Sequence, residues 1–320
     1  MEKFKCLITD YQGDNCSYEI EQLEKNNIQA IAAKSKNQED WVEYIPSVDA
    51  ILTRHAILDT KLFSMMEKCK IIARYGTGYD NIDIASAKQK KITITYVDDY
   101  CSNEVADHTL LLILYCIRNL GEYLSSVNKG GWTPNPHPNV DRILGKKMTV
   151  IGYGKIGQKV VERALAFGFE IRVYDPFYEG KFPKGVNHYE DIYDAVLDTD
   201  VLSLHVPLIE STKNLIDKKI INLMSRNSLL VNVARGGLIK INDAINALDE
   251  NKLGWLALDV VDNEPPKKSD VIRSHQKVTL TPHVAYYSKQ SIQESKRICV
   301  DNIILRLNNK QIIGPEVQTQ

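Results

Sequence analysis

Two groups of residues in this chain have types and spacings suited to chemistry. The first is the turn Gly152-Tyr-Gly154-Lys155-Ile156-Gly157. It follows the apolar run Met148-Thr-Val-Ile151 and opens an amphipathic stretch, 158–167, after which Glu170-Ile-Arg-Val-Tyr174 reads as the next strand. A strand–turn–helix–strand unit with this glycine spacing is built to bind a dinucleotide. Gly152 makes the tight turn, Gly154 lets the backbone approach a pyrophosphate, and Gly157 lets the helix pack close to the strand. The helix N-terminus offers amide N–H groups and partial positive charge to that anion. Asp175 lies 18 residues after Gly157, at the end of the second strand. Its carboxylate is placed to accept hydrogen bonds from ribose hydroxyls and to repel a 2′-phosphate. Pro176 and Phe177 follow, with no arginine to hold such a phosphate, so the expected cofactor is NAD rather than NADP. A solvated aspartate in an Asp-Pro turn is the plain alternative; the complete unit outweighs it.

The second group lies downstream, where residues follow predicted strands. Arg235 follows one in V-N-V-A-R-G-G, Asp259 ends one in L-A-L-D-V, Glu264 lies in D-N-E-P-P, and His283 follows T-L-T-P. Doubly wound sheets bind ligands beyond the carboxyl ends of their strands. Hydride transfer to a keto acid needs a cation for the substrate carboxylate, and a planar arginine suits it. It also needs a proton donor near neutrality, as histidine is, and a carboxylate that orients the histidine. Arg235, His283 and Glu264 match these roles. Singly, each reads as well as a surface arginine, a core histidine or a capping glutamate. Their joint placement at strand ends favours catalysis.

These groups need a scaffold, and the chain supplies short apolar runs alternating with amphipathic stretches, the pattern of parallel α/β sheets. Strands are expected at 4–9, 28–33, 50–53, 71–74 and 92–96, with helices at 17–26 and 59–68. A second series is expected at 148–151, 170–174, 201–205, 228–232, 255–258 and 278–281. Between the series, 103–119 reads as a helix that Ser102 caps. It is apolar nearly all round from 110 to 117 and so is buried, against another subunit in one reading. Residues 130–138, rich in glycine and proline, read as a loop. A last helix, 291–307, is expected to return to the first domain. The predicted fold is α/β: a flavodoxin-like substrate domain, 1–102 with 290–320 returning, and a Rossmann NAD-binding domain, 103–289.

With 320 residues, two domains are expected. A net charge of −1 gives no broad electrostatic reason to bind nucleic acid or an anionic membrane. The longest apolar run is about a third of a bilayer span, and the start lacks the pattern of a signal peptide. Six scattered cysteines, without C-x-x-C or zinc spacing, read as buried thiols in a reducing compartment. No metal site is expected, and the expected location is cytoplasmic.

Seven segments resemble the D-isomer-specific 2-hydroxyacid dehydrogenases over essentially the full chain. They are R-Y-G-T-G-Y-D-N-I-D from Arg74, E-V-A-D-H-T from Glu104, G-Y-G-K-I-G-Q, H-V-P-L from His205, V-N-V-A-R-G-G, L-D-V-V-D-N-E-P and T-P-H-V-A. The segments 98–109 and 283–288 most resemble the branch containing the C-terminal-binding protein, a dehydrogenase-like corepressor. The resemblance implies that His283 is the proton donor, Glu264 its partner and Arg235 the substrate-binding arginine. It implies that Asp259 binds the nicotinamide carboxamide. His205, Val206, Pro207, Thr212, Val233, Ala234 and Arg235 would line the cofactor with His283. Thr77, in the Gly76-Thr-Gly78 turn, would reach the cofactor and offer N–H groups to the substrate carboxylate, and Arg74, Gly76 and Gly78 are further expected substrate-binding residues. It further implies a site between two domains and a homodimer through the nucleotide-binding domain. That branch has a tryptophan where Tyr286 stands, so its substrate preference does not carry over. Arg54 and His55 face either the pocket or the surface. Tyr75 and Tyr286, if directed inward, favour a substrate with polar reach.

The leading expectation is therefore reversible reduction of a 2-keto acid to a D-2-hydroxy acid with NADH. An NAD-sensing scaffold with vestigial activity is the alternative from another class, and little room for regulatory tails weighs against it. Formate oxidation needs no proton donor, and that branch has glutamine where Glu264 stands. Phosphite oxidation retains a similar Arg–Glu–His set.

Overall fold

The computed structural model describes residues 3–11, 13, 15–132 and 140–317. The chain divides into two compact units, one formed by Met1–Tyr100 with Tyr287–Gln320 and the other by Cys101–Tyr286. The elements in chain order are β1 (Phe4–Ile8), α1 (Ser17–Lys25), β2 (Ile28–Ala32), β3 (Ala50–Thr53), α2 (Thr60–Met65), β4 (Ile71–Arg74), α3 (Ile84–Lys90) and β5 (Thr93–Tyr96). There follow α4 (Ser102–Ile117), α5 (Leu120–Asn128), β6 (Lys147–Ile151), α6 (Lys155–Ala166), β7 (Glu170–Tyr174), β8 (Val186–Tyr189) and α7 (Ile192–Val196). The remainder are β9 (Val201–Leu204), α8 (Lys218–Leu223), β10 (Ser228–Asn232), α9 (Ile241–Asp249), β11 (Leu253–Leu258), β12 (Val278–Leu280) and α10 (Lys289–Leu307).

The first unit holds a five-stranded parallel sheet in the order β2-β1-β3-β4-β5, the flavodoxin-like order. Alternate residues of its strands feed two cores. Leu7, Ile51, Ile72 and Ile94 join the cluster of Trp41, Leu62 and Phe63, while Cys6, Ile8, Leu52 and Ala73 join that of Leu23, Val300 and Ile303. Side chains that point to opposite faces in turn need cover on both, which is why these strands read as unbroken apolar runs. Helix α10 covers one face, packing on β3, β4 and α1. Its start is fixed by a capping box between Ser288 and Ser291. Beneath it the fully buried Glu19 accepts from the Tyr75 hydroxyl at 2.7 Å and meets Lys296 Nζ at 3.4 Å.

The second unit holds a seven-stranded parallel sheet, β12-β11-β10-β9-β6-β7-β8. Counted from β6 as the first strand, the order is 3-2-1-4-5-6 with a seventh strand added, the dinucleotide-binding arrangement. Its switch point lies between β6 and β9, and Leu202, Leu204, Leu230, Leu256 and Leu258 build the main core on one face.

Two expectations are corrected here. Ser102 is the first helical residue of α4 rather than its cap, and no side chain caps that end. The helix stops at Ile117, because Asn119 adopts a left-handed φ of +50° and starts α5 on a new axis. Strand β8 was not anticipated, since Val-Asn-His-Tyr at the sheet edge is largely solvent-exposed and carries no apolar pattern. Of the loop expected at 130–138, residues 133–138 lie outside the described residues. Among the described residues, no single helix is long and apolar enough to cross a membrane.

Candidate active site

All strands of the second sheet are parallel, so the residues that follow them gather along one edge. Gly152 follows β6, Asp175 follows β7, His205 follows β9, Asp259 follows β11, and Arg235 and His283 lie three residues past β10 and β12. The spacing of side chains along the sequence thus becomes a row in space.

The glycine turn is tight where tightness is needed and open where a ligand would lie. Gly152 has φ +94°, and a Cβ there would lie 2.5 Å from the His205 carbonyl oxygen and 2.8 Å from Val206. A Cβ on Gly157 would lie 2.0 Å from the Gly152 carbonyl oxygen. A Cβ on Gly154, by contrast, would meet nothing within 4 Å. Gly154 is the N-cap of α6 and gives no side-chain cap to the first turn, Lys155, Ile156 and Gly157. Asp175 fixes the turn from the next strand, accepting from Tyr153 N at 2.7 Å through Oδ2 and from Phe177 N at 2.9 Å through Oδ1. Each carboxylate oxygen retains lone-pair capacity for a ribose hydroxyl. These residues fit a dinucleotide: space at Gly154, a helix N-terminus that starts on a glycine, and a carboxylate at the second strand.

The His205 imidazole meets Ser203 Oγ at 2.8 Å through Nε2, and burial holds its pKa down at about 3. Burial thus favours the neutral ring, and the His205 carbonyl and the Val206 side chain lie beside Gly152. The Thr212 hydroxyl donates to the Pro207 carbonyl at 2.7 Å and accepts from Ile209 N at 2.8 Å, closing that loop on itself.

His283 and Glu264 are brought together: Nδ1 lies 2.6 Å from Oε2, with both side chains 36% exposed. The second carboxylate oxygen accepts from Val261 N at 3.1 Å, so Glu264 is itself anchored. Arg235 is presented by a turn that the fully buried Asn232 braces, donating to the Arg235 carbonyl at 2.8 Å and accepting from Ala234 N at 3.0 Å. Gly236 lets this turn approach the next loop, since a Cβ there would lie 2.2 Å from the Val261 carbonyl carbon. Val233 is 8% exposed and contributes chiefly backbone at the strand end. Tyr286 stands edge-on to His283 with ring centroids 6.1 Å apart.

Asp259 is 1% exposed, and its carboxylate accepts from the Thr281 hydroxyl, Val284 N and Ala285 N at 2.6, 2.9 and 2.9 Å. Asn232 and this use of Asp259 could not be read from motif spacing.

In the first unit, Gly76 has φ +88°, Val97 N donates to its carbonyl oxygen, and Arg74 Nη1 donates to the Tyr75 carbonyl. Thr77 is exposed, its hydroxyl donating to the Val97 carbonyl at 3.1 Å, and Gly78 is half-buried. Tyr75 is 1% exposed with its hydroxyl on Glu19, so the condition of an inward-facing pocket side chain is not met there. Exposed His55 is held by Asp10, whose carboxylate accepts from Arg54 N, His55 N and Ala56 N. Sequence reasoning missed Asp10, because its partners lie more than forty residues away.

A parallel sheet of the dinucleotide-binding order, with an open glycine turn and a paired histidine and glutamate, defines a nucleotide-dependent dehydrogenase scaffold. Comparison with known proteins makes this specific. Residues 110–285 match the NAD binding domain of the D-isomer specific 2-hydroxyacid dehydrogenases. The chain is 33% identical over 302 residues to a D-3-phosphoglycerate dehydrogenase of Methanocaldococcus jannaschii, covering 93% of this chain and 56% of that protein. It therefore spans little more than half the length of that relative. It is 35% identical over 260 residues to a hydroxypyruvate reductase of Thermotoga maritima, covering 79% of this chain and 83% of the relative. The structure of a glyoxylate reductase from Paecilomyes thermophila superposes with a TM-score of 0.87 at 24% identity, over 99% of both chains, and shows the same fold. The chain belongs to the D-isomer-specific 2-hydroxyacid dehydrogenase family.

Proposed function

We propose that this chain catalyses reversible reduction of a 2-keto acid to a D-2-hydroxy acid. The observation that carries the reading is the 2.6 Å contact between His283 Nδ1 and Glu264 on the edge that also presents Arg235 and the glycine turn. NADH, held by Gly152, Gly154, the first turn of α6 and Asp175, supplies the hydride for the carbonyl carbon. Arg235 holds the substrate carboxylate and polarises the carbonyl. Glu264 occupies His283 Nδ1, which leaves Nε2 to deliver the proton to the carbonyl oxygen. In the oxidative direction the same nitrogen accepts that proton.

For the substrate carboxylate we assign the backbone N–H groups of the turn at Thr77, with Arg74, Gly76, Gly78, His55 and Tyr286 as further candidate substrate-binding residues. Asp259 serves the nicotinamide side of the site. Two similar proteins are a hydroxypyruvate reductase and a glyoxylate reductase, so small keto acids are the first substrates to try. We further propose a homodimer through the second unit, supported by exposed Leu111, Leu120, Leu124 and Val127 on α4 and α5. The six free thiols support a reducing compartment, the cytoplasm.

The test is NADH absorbance against glyoxylate, pyruvate, hydroxypyruvate and branched, aromatic and phosphonate-bearing keto acids. At least one is expected to be reduced to the D-hydroxy acid. Bound NADH with no turnover on the whole panel would contradict the proposal.

A further inference from the structure

His283 is held in an unusual backbone conformation, and the groups that hold it lead to a residue outside the catalytic set. Its φ is +53°, in the left-handed region that costs a side chain with a Cβ about 1–2 kcal/mol. Such a conformation persists when its surroundings over-determine it. Asp259 does this from two directions. Its carbonyl accepts from His283 N at 2.9 Å, and its carboxylate accepts from the next two amides, Val284 N and Ala285 N. The loop carrying the proton donor is therefore wrapped on a single aspartate that is 1% exposed.

A carboxylate so deeply placed needs donors on its remaining lone pairs. Thr281 Oγ1 lies 2.6 Å from Asp259 Oδ1, and His108 Nε2 lies 3.0 Å from the same hydroxyl. An ionised carboxylate only accepts, so the single hydroxyl proton of Thr281 goes to Asp259. The Thr281 oxygen then accepts from His108, which places a proton on His108 Nε2. The same nitrogen lies 3.7 Å from Asp259 Oδ1. His108 sits in the middle of α4, a helix that packs against β10, β11 and α6, and its side chain is 15% exposed. It is thus fixed by a different part of the second unit from the loop it reaches.

We propose that His108 is a positioning residue for the reaction: its Nε2–H, relayed through the Thr281 hydroxyl, secures the Asp259 carboxylate that holds His283 in its working conformation. The inference rests on His283 being the proton donor. Removing the donor leaves Thr281 free to turn away from Asp259 and loosens the two amide contacts that brace the loop. The effect is expected on the chemical step, because the hydrogen bonds from His108 run through Thr281 to Asp259 and so to the loop that carries His283.

Two measurements on the full-length protein separate this role from simple packing. In His108→Ala, kcat is expected to fall about tenfold or more, the scale of one lost hydrogen bond, while KM for the keto acid changes little. Hydrogen exchange of the amides at Val284 and Ala285 should accelerate in the same variant. His108→Gln, whose side-chain amide can donate from a similar position, should restore most of kcat and of the exchange protection. Thr281→Val should reproduce the alanine variant, and the double variant should be no worse than either single one. Unchanged kcat and exchange in His108→Ala would overturn the proposal, as would a glutamine variant as impaired as alanine. If the wild-type protein turns over no keto acid, the functional reading fails by itself. The exchange measurements then decide whether His108 holds the loop.

Discussion

At the scale of single residues, the side chains that do chemistry were easier to find than those that hold them. Arg235, Glu264 and His283 announce themselves by type and by following apolar strands, and His283 and Glu264 meet at 2.6 Å. Asp10, Asn232 and the carboxylate contacts of Asp259 were not legible, because each binds backbone amides whose positions only the folded chain defines. The inward direction considered for Tyr75 is not met for the same reason: its buried partner Glu19 lies on α1. His205 carries a prediction at this scale. Burial favours its neutral form, with a pKa near 3 against an ordinary 6.5. Between these values the unfolded chain binds a proton that the folded chain does not, so stability falls as pH drops from about 6.5 towards 3. His205→Gln is expected to flatten the decline of Tm between pH 7 and pH 5. An unchanged slope would show that other groups set it.

At the scale of elements, strands buried on both faces were legible as apolar runs, and the glycine turn was legible because it joins one to an amphipathic helix. The polar edge strand β8 and the short helices α7 and α8 lack such patterns and depend on the sheet already being in place. The turn supports a paired prediction. Gly157→Ala puts a methyl group 2.0 Å from the Gly152 carbonyl oxygen, and overpacking of this kind costs roughly 1–3 kcal/mol; Tm should drop by several degrees. Gly154→Ala meets nothing within 4 Å and should fold like wild type, yet bind NADH at least about tenfold more weakly by filling the space for the pyrophosphate. Thermal melts with NADH fluorescence titration distinguish the two. Equal NADH affinity in Gly154→Ala would remove the turn from the cofactor site.

At the scale of the whole molecule, the alternation of strands and helices foretold two parallel sheets, and the sheet orders confirm the two α/β arrangements. Association with a second copy was suggested by the apolar helix at 110–117 and by resemblance, and the exposed leucines of α4 and α5 support it. Light scattering should find a dimer for the wild-type protein and a monomer for Leu124→Glu; a monomeric wild type would contradict the interface. The account as a whole stands on His283 as proton donor beside a bound NADH. The most direct test is kcat of His283→Ala on the best keto acid, measured together with NADH affinity. Turnover is expected to fall about 10²–10⁴-fold, the range for lost acid–base catalysis, with NADH bound as tightly as by wild type. A variant that turns over at the wild-type rate would contradict the account.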